Sequence, residues 1–190
     1  TRWLAPRLPG FLAVHPGIVI NVLARPTHFD FEREQVDAAI HFGRGEWPAA
    51  ETMLLRGETV IPACSPQLRE RFKFEEPADL HRSMLLHLTS RPDAWERWFL
   101  ANDVEPQAVH GMLFDQFATV TQAAVAGLGL ALLPEFLIEP EIDDGSLVAA
   151  LPLPMRSSES YHLVWPSARA QHPPLEAFRD WILAETAQDR

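Results

Sequence analysis

Residues 109–134 read VHGMLFDQFATVTQAAVAGLGLALLP, and this stretch decides the fold class. Val109 to Phe114 is an apolar, strand-like run that the polar pair Asp115-Gln116 stops. Phe117 to Ala126 follows as an apolar helix, ended by Gly127. Gly129 to Leu133 then reads as a buried strand, and Pro134 starts the next helical turn. Strand, polar turn, helix and strand in this order form a crossover, which is the connection parallel strands require.

The same order recurs outward from this unit. Upstream, a short helix from Pro77 to Leu80 leads to a strand at Met84 to Leu88, and Thr89-Ser90-Arg91-Pro92 is expected to cap a helix bearing Trp95, Trp98 and Phe99. Leu54 to Ala63 has strand character, interrupted at Gly57-Glu58 and closed by Pro62-Ala63-Cys64-Ser65-Pro66. At the start, Leu4, Leu8, Phe11 and Leu12 predict a helix over Trp3 to His15, kinked at Pro9-Gly10. The β-branched alternation from Ile18 through Val22 to Leu23 predicts a strand. A polar turn at Thr27-His28, a short helix from Asp30 to Gln35 and a strand at Ala38 to Phe42 come next, the last stopping at Gly43-Arg44-Gly45. Downstream, Asp143-Asp144-Gly145-Ser146 precedes Leu147 to Leu151 and a strand at Tyr161 to Trp165. Pro173-Pro174 opens a final helix whose Leu175, Phe178, Trp181 and Ile182 share one face. The expectation is an α/β chain of two small lobes, mainly parallel sheets with helices on both faces.

Composition narrows the function. Asp and Glu outnumber Lys and Arg by 26 to 16, and a net charge of -10 repels a phosphate backbone, so this segment is not expected to bind nucleic acid itself. The single cysteine, Cys64, excludes an internal disulfide and suits a reducing compartment, so a cytoplasmic protein is expected. No apolar run has the length of a membrane span, and no secretory signal is visible. The chain begins at Thr1 without methionine, which reads as a fragment of a longer protein.

Several strings in sequence carry a resemblance. Trp3-Leu4-Ala5-Pro6-Arg7-Leu8 before Phe11 and His15-Pro16 is the first, and Val36-Asp37-Ala38-Ala39-Ile40 running into Phe42-Gly43-Arg44-Gly45 is the second. Pro62-Ala63-Cys64-Ser65-Pro66, the Leu88 to Trp98 segment, Gln122-Ala123-Ala124-Val125-Ala126-Gly127-Leu128-Gly129 and Leu163-Val164-Trp165-Pro166 complete the set. In this order and spacing, over nearly the whole chain, they resemble the effector-binding domain of LysR-type transcriptional regulators. The likeness is to the subgroup of glycine-cleavage activators and β-lactamase regulators. The resemblance implies a two-lobed fold like that of type 2 periplasmic binding proteins, its lobes joined by two crossover strands. Lobe one would take residues 1–61 plus 161–190, and lobe two residues 62–160. It also implies a winged helix-turn-helix DNA-binding domain and a linker helix, neither present in this chain, and association into homodimers or homotetramers.

Ligand sites of open α/β sheets lie beyond the carboxyl ends of the strands, near helix N-termini. That rule selects Thr1, Thr27, His28, Gly43 and Arg44 in lobe one, and Thr89, Ser90, Arg91, Asp115, Gln116, Phe117 and Pro134 in lobe two. The resemblance places effector contacts in these same turns, for a small polar or anionic effector held in the cleft between the lobes. Thr, Ser and Asp at helix starts also serve as plain N-caps, and Arg44 and Arg91 are placed either to fork a carboxylate or to lie solvated. Tyr161 and Trp165 share a strand face, which serves core packing or cleft lining. No catalytic motif occurs: there is no G-x-S-x-G, H-E-x-x-H or Walker loop, and Gly127-Leu128-Gly129 leaves a helix instead of entering one. The eight histidines include no i, i+4 pair. The reading is therefore a sensor, not an enzyme, with no metal, cofactor or membrane partner. A solute-binding protein of a transport system is the alternative use of the same fold.

Overall fold

The computed structural model describes residues 2–25, 28–106 and 111–188. The chain divides into two units, residues 1–58 with 157–190 and residues 59–156. Both divisions fall inside strands, β2 (Ala50–Cys64) and β7 (Met155–Pro166), which contribute residues to each unit.

Unit 2 is a sheet in the order β2-β5-β3-β4, with β6 (Val148–Ala149) also on β2. Here β3 is Leu85–Leu88, β4 Gly111–Phe114 and β5 Leu130–Pro134. β3 pairs in parallel with both β4 and β5, as the crossover reading requires. β5 and β6 pair antiparallel with β2, so the sheet is mixed and not mainly parallel. The strands β3, β4 and β5, joined by α4 (Ala94–Ala101) and α5 (Phe117–Val125), run one way through helical crossovers, and β2 runs the other.

Strand alternation gives unit 2 two apolar faces. Val60, Cys64, Leu85, Leu130 and Leu132 point to one, covered by Leu68 of α3 (Pro66–Phe72), Leu80 of a 3₁₀ turn (Pro77–Arg82), and Trp95, Trp98 and Phe99 of α4. Ala63, Leu86, Leu88, Ala131 and Leu133 point to the other, covered by Val120 and Ala124 of α5 and Ile138 of α6 (Glu135–Asp143). Helices thus cover both faces. The indoles of Trp95 and Trp98 donate to the carbonyls of Leu86 and Leu153, each at 3.0 Å, so their burial leaves no donor stranded.

Unit 1 pairs β1 (Ala39–Gly43) antiparallel with β7, Ala39 opposite Val164 and Gly43 opposite Ser160. One face packs Leu55, Leu163 and Trp165 against Leu175 and Ile182 of α7 (Pro173–Gln188). Phe11 of α1 (Leu8–Val14) joins through ring contacts with Phe178 and Trp181.

Four local expectations are corrected. The first helix does not start at Trp3: residues 2–7 are turns, because Pro9 lacks an N–H and its ring would clash with the carbonyl four residues back, so α1 begins one residue before it. The predicted strand at 18–23 is no strand; Val19 is 85% exposed, and an extended segment becomes a strand only when a neighbour takes up its backbone groups. Gly57-Glu58 does not interrupt β2, which runs unbroken for 15 residues. Instead the buried positions shift there from odd (Leu55) to even (Glu58, Val60, Pro62), a step that a residue without Cβ accommodates. The turn Thr89-Ser90 does not cap α4, which starts at Ala94; Asp93, just before it, binds Arg97 through two 2.7 Å contacts instead of capping.

Candidate functional site

In unit 2 the parallel strands β3 and β4 end side by side, and their carboxyl ends are tied together: the Thr89 N–H donates to the Phe114 carbonyl at 2.9 Å. A tight turn closed by the Arg91 N–H on the Leu88 carbonyl (2.9 Å) presents Thr89 and Ser90, both exposed. Asp115 and Gln116, also exposed, directly follow Phe114. Gln116 occupies the N-cap position of α5 without a side-chain capping bond, so helix capping does not account for it. The structure thus gathers Thr89, Ser90, Asp115 and Gln116 at one sheet edge. Phe117 is half-buried at the start of α5, and Pro134 is fully buried opposite Val60.

Arg91 turns partly inward. With His87, Trp95, Val120 and Leu132 it lines a cavity of about 10 Å³, room for one water and far too small for a metabolite. His87 Nε2 is buried there without a partner, and burial holds its imidazole below the ordinary value, with Glu96 opposing.

In unit 1, Thr1 and Thr27 lie outside the described residues. His28 is exposed and stacks near His41 and Trp47, with ring centroids at 4.8 and 4.4 Å. Gly43 is buried at the end of β1, and Arg44 is exposed in the loop after it. Gly45, at φ +80°, lies so close to His162 that a Cβ would stand 2.8 Å from Nε2.

Sequence reasoning missed two groups. Glu58 is 3% exposed in β2, yet its carboxylate is satisfied: Tyr161 donates to Oε1 at 2.7 Å and Ser157 to Oε2 at 2.8 Å. An acid inside a strand pattern was the available signal. The second group is His41 and His162 with Trp47; the register that pairs the two histidines is invisible without the β1–β7 alignment.

Among the described residues no three His, Cys, Asp or Glu side chains are arranged to hold a metal ion, and no helix is long and apolar enough to cross a membrane. Burial pushes the Cys64 thiol up to about 11, against the opposing pull of Arg69, which leaves it a poor nucleophile.

Residues 1–187 match the family described as LysR substrate binding domain. The chain is 36% identical over 192 residues to the glycine cleavage system transcriptional activator of Escherichia coli K12, covering 100% of this chain and 62% of that protein. It is 34% identical over 183 residues to the transcriptional activator AmpR of Providencia stuartii, covering 96% and 61%. Among solved structures, the effector domain of AmpR from Pseudomonas aeruginosa superimposes with a TM-score of 0.89 at 29% identity, covering 99% of this chain and 90% of that one. The chain thus spans less than two thirds of the length of its curated relatives. Its fold is the mixed α/β, type 2 periplasmic-binding-protein-like fold of those effector domains. By the match over nearly its whole length, the chain belongs to the LysR substrate-binding domain family.

Proposed function

We propose that the chain is the sensing part of a cytoplasmic DNA-binding transcriptional regulator. It binds a small polar or anionic effector at the turns that follow its strands, and it catalyses no reaction. The observation that carries this reading is the joined edge of β3 and β4, where Thr89, Ser90, Asp115 and Gln116 meet. In the parallel part of an α/β sheet this edge is where ligands are held. The relatives named above are regulators, which favours sensing over solute transport. An effector acts by binding one arrangement of the protein more tightly than another, and DNA contact belongs to a segment outside these 190 residues, since a charge of -10 disfavours it here.

Self-association into a homodimer or homotetramer is part of the reading. It is supported by the edge position of β4, whose Met112 and Leu113 are exposed, and sedimentation equilibrium separates the two states.

Calorimetric titration with glycine, suggested by the name of one relative, and with a panel of small carboxylates and amino acids tests the effector reading. One class should bind, and Thr89→Trp or Ser90→Trp should weaken it at least tenfold while circular dichroism is unchanged. A ligand that titrates identically against both variants sinks the assignment.

A further inference from the structure

The face of the β1–β7 ladder opposite the unit 1 core carries three imidazoles. His41 and His162 are paired directly across the two strands, and His28 packs on His41. Trp47 closes the group, its ring centroid 5.3 Å from that of His41, and is backed by Phe31 of α2 (Phe31–Glu34) at 5.4 Å. The Gly43–Gly45 loop runs against these rings. A Cβ on Gly43 would strike the His41 ring, and one on Gly45 would crowd His162.

Few charges offset a proton here. Burial most disfavours the charged form of His41, followed by His28 and His162, while Glu159 on β7 favours it. Asp30, at the start of α2, is already engaged by the backbone N–H groups of Glu32 and Arg33. Arg44 and Glu46, in the loop itself, are exposed.

We propose that protonation of His41, which packs against His28 and pairs across the strands with His162, displaces the Gly43–Gly45 loop, so that acid retunes the ligand-facing turn of unit 1. Adjacent imidazolium rings repel, each bound proton disfavours the next, and rings that pack while neutral must separate to gain water. The loop lies against the rings, where a Cβ at Gly43 or Gly45 would crowd them, and His162 Nδ1 lies 3.1 Å from the Ser160 carbonyl oxygen. The link to effector response rests on reading Gly43 and Arg44 as effector contacts; the proton-driven displacement of the loop does not.

Proton NMR titration of the imidazoles in the 190-residue chain, without effector and with a chelator present, is the test. Two charges about 5 Å apart in water change each other's proton affinity about fourfold, so His28→Asn should raise that of His41 by this factor. His162→Gln should do the same, and the Gly43 and Gly45 amide resonances should follow the His41 midpoint. The proposal is overturned if neither variant moves that midpoint, or if the two amides do not follow it. Such a failure leaves the effector reading standing. Intact coupling with no ligand response at Gly43 or Arg44 would remove only the link between them.

Discussion

In unit 2 both faces of the sheet are apolar and covered by helices, whereas in unit 1 one face is apolar and the other carries His41 and His162. The difference separates stability from responsiveness. Unit 2 presents exposed polar groups at its strand ends and packs both faces against helices, leaving inside it a small cavity beside His87. Unit 1 sets titratable rings against a backbone loop and ties β2 to β7 through a buried carboxylate.

The largest expected effect is in the unit 2 core. Trp98 is fully buried and its indole is hydrogen-bonded, so Trp98→Ala should destabilise the chain by about 3–5 kcal/mol in urea denaturation. A loss under 1 kcal/mol would mean that this core is not packed as described. Next comes the buried acid of unit 1. Glu58→Ala removes the acceptor of the Tyr161 and Ser157 hydroxyls and should cost about 2–3 kcal/mol, while Tyr161→Phe, which removes one of these bonds, should cost roughly half as much. Equal losses in the two variants would show that the Ser157 bond adds nothing beyond the Tyr161 bond.

The smallest effect is the pH dependence. His41, His81 and His87 are held below the ordinary imidazole value, chiefly by burial, so the folded state favours their neutral forms. Below pH 6.5 the unfolded chain binds more protons than the folded one, and stability should fall as pH drops through that value toward the folded pKa values. Asp79, held low by the backbone N–H groups of Glu75 and Glu76, and Asp93, held low by Arg97, act in a separate window: their contribution is present above the ordinary carboxylate value and lost as pH falls below it. Thermal melts from pH 8 to 5 check the imidazole window; stability that is flat or rises toward acid contradicts it.

Legibility in the sequence followed the same division. β5 appears as the continuous apolar run Leu130–Pro134 and β3 as Leu85–Leu88, broken only by His87, and the helix between β4 and β5 carries a clear polar boundary at Asp115-Gln116. Thr89, Ser90, Asp115 and Gln116 can be placed at strand ends from the sequence because strand ends are local features. Unit 1 depends on pairings that the sequence does not display. His41 and His162 lie 121 positions apart and meet only through strand register, and Glu58 finds Tyr161 and Ser157 about 100 residues away. The alternation at 18–23 specified an extended backbone but supplied no partner strand.

The central claim is that the strand-end turns hold the effector. Amide chemical-shift mapping during titration with a ligand found by calorimetry tests it most directly. The account predicts the largest shifts at Thr89, Ser90 and Asp115 to Phe117, with Gly43 and Arg44 responding in unit 1. Shifts confined elsewhere, for example to the shallow depression lined by Ala168, Arg169, Gln171, His172 and Pro173, would contradict it.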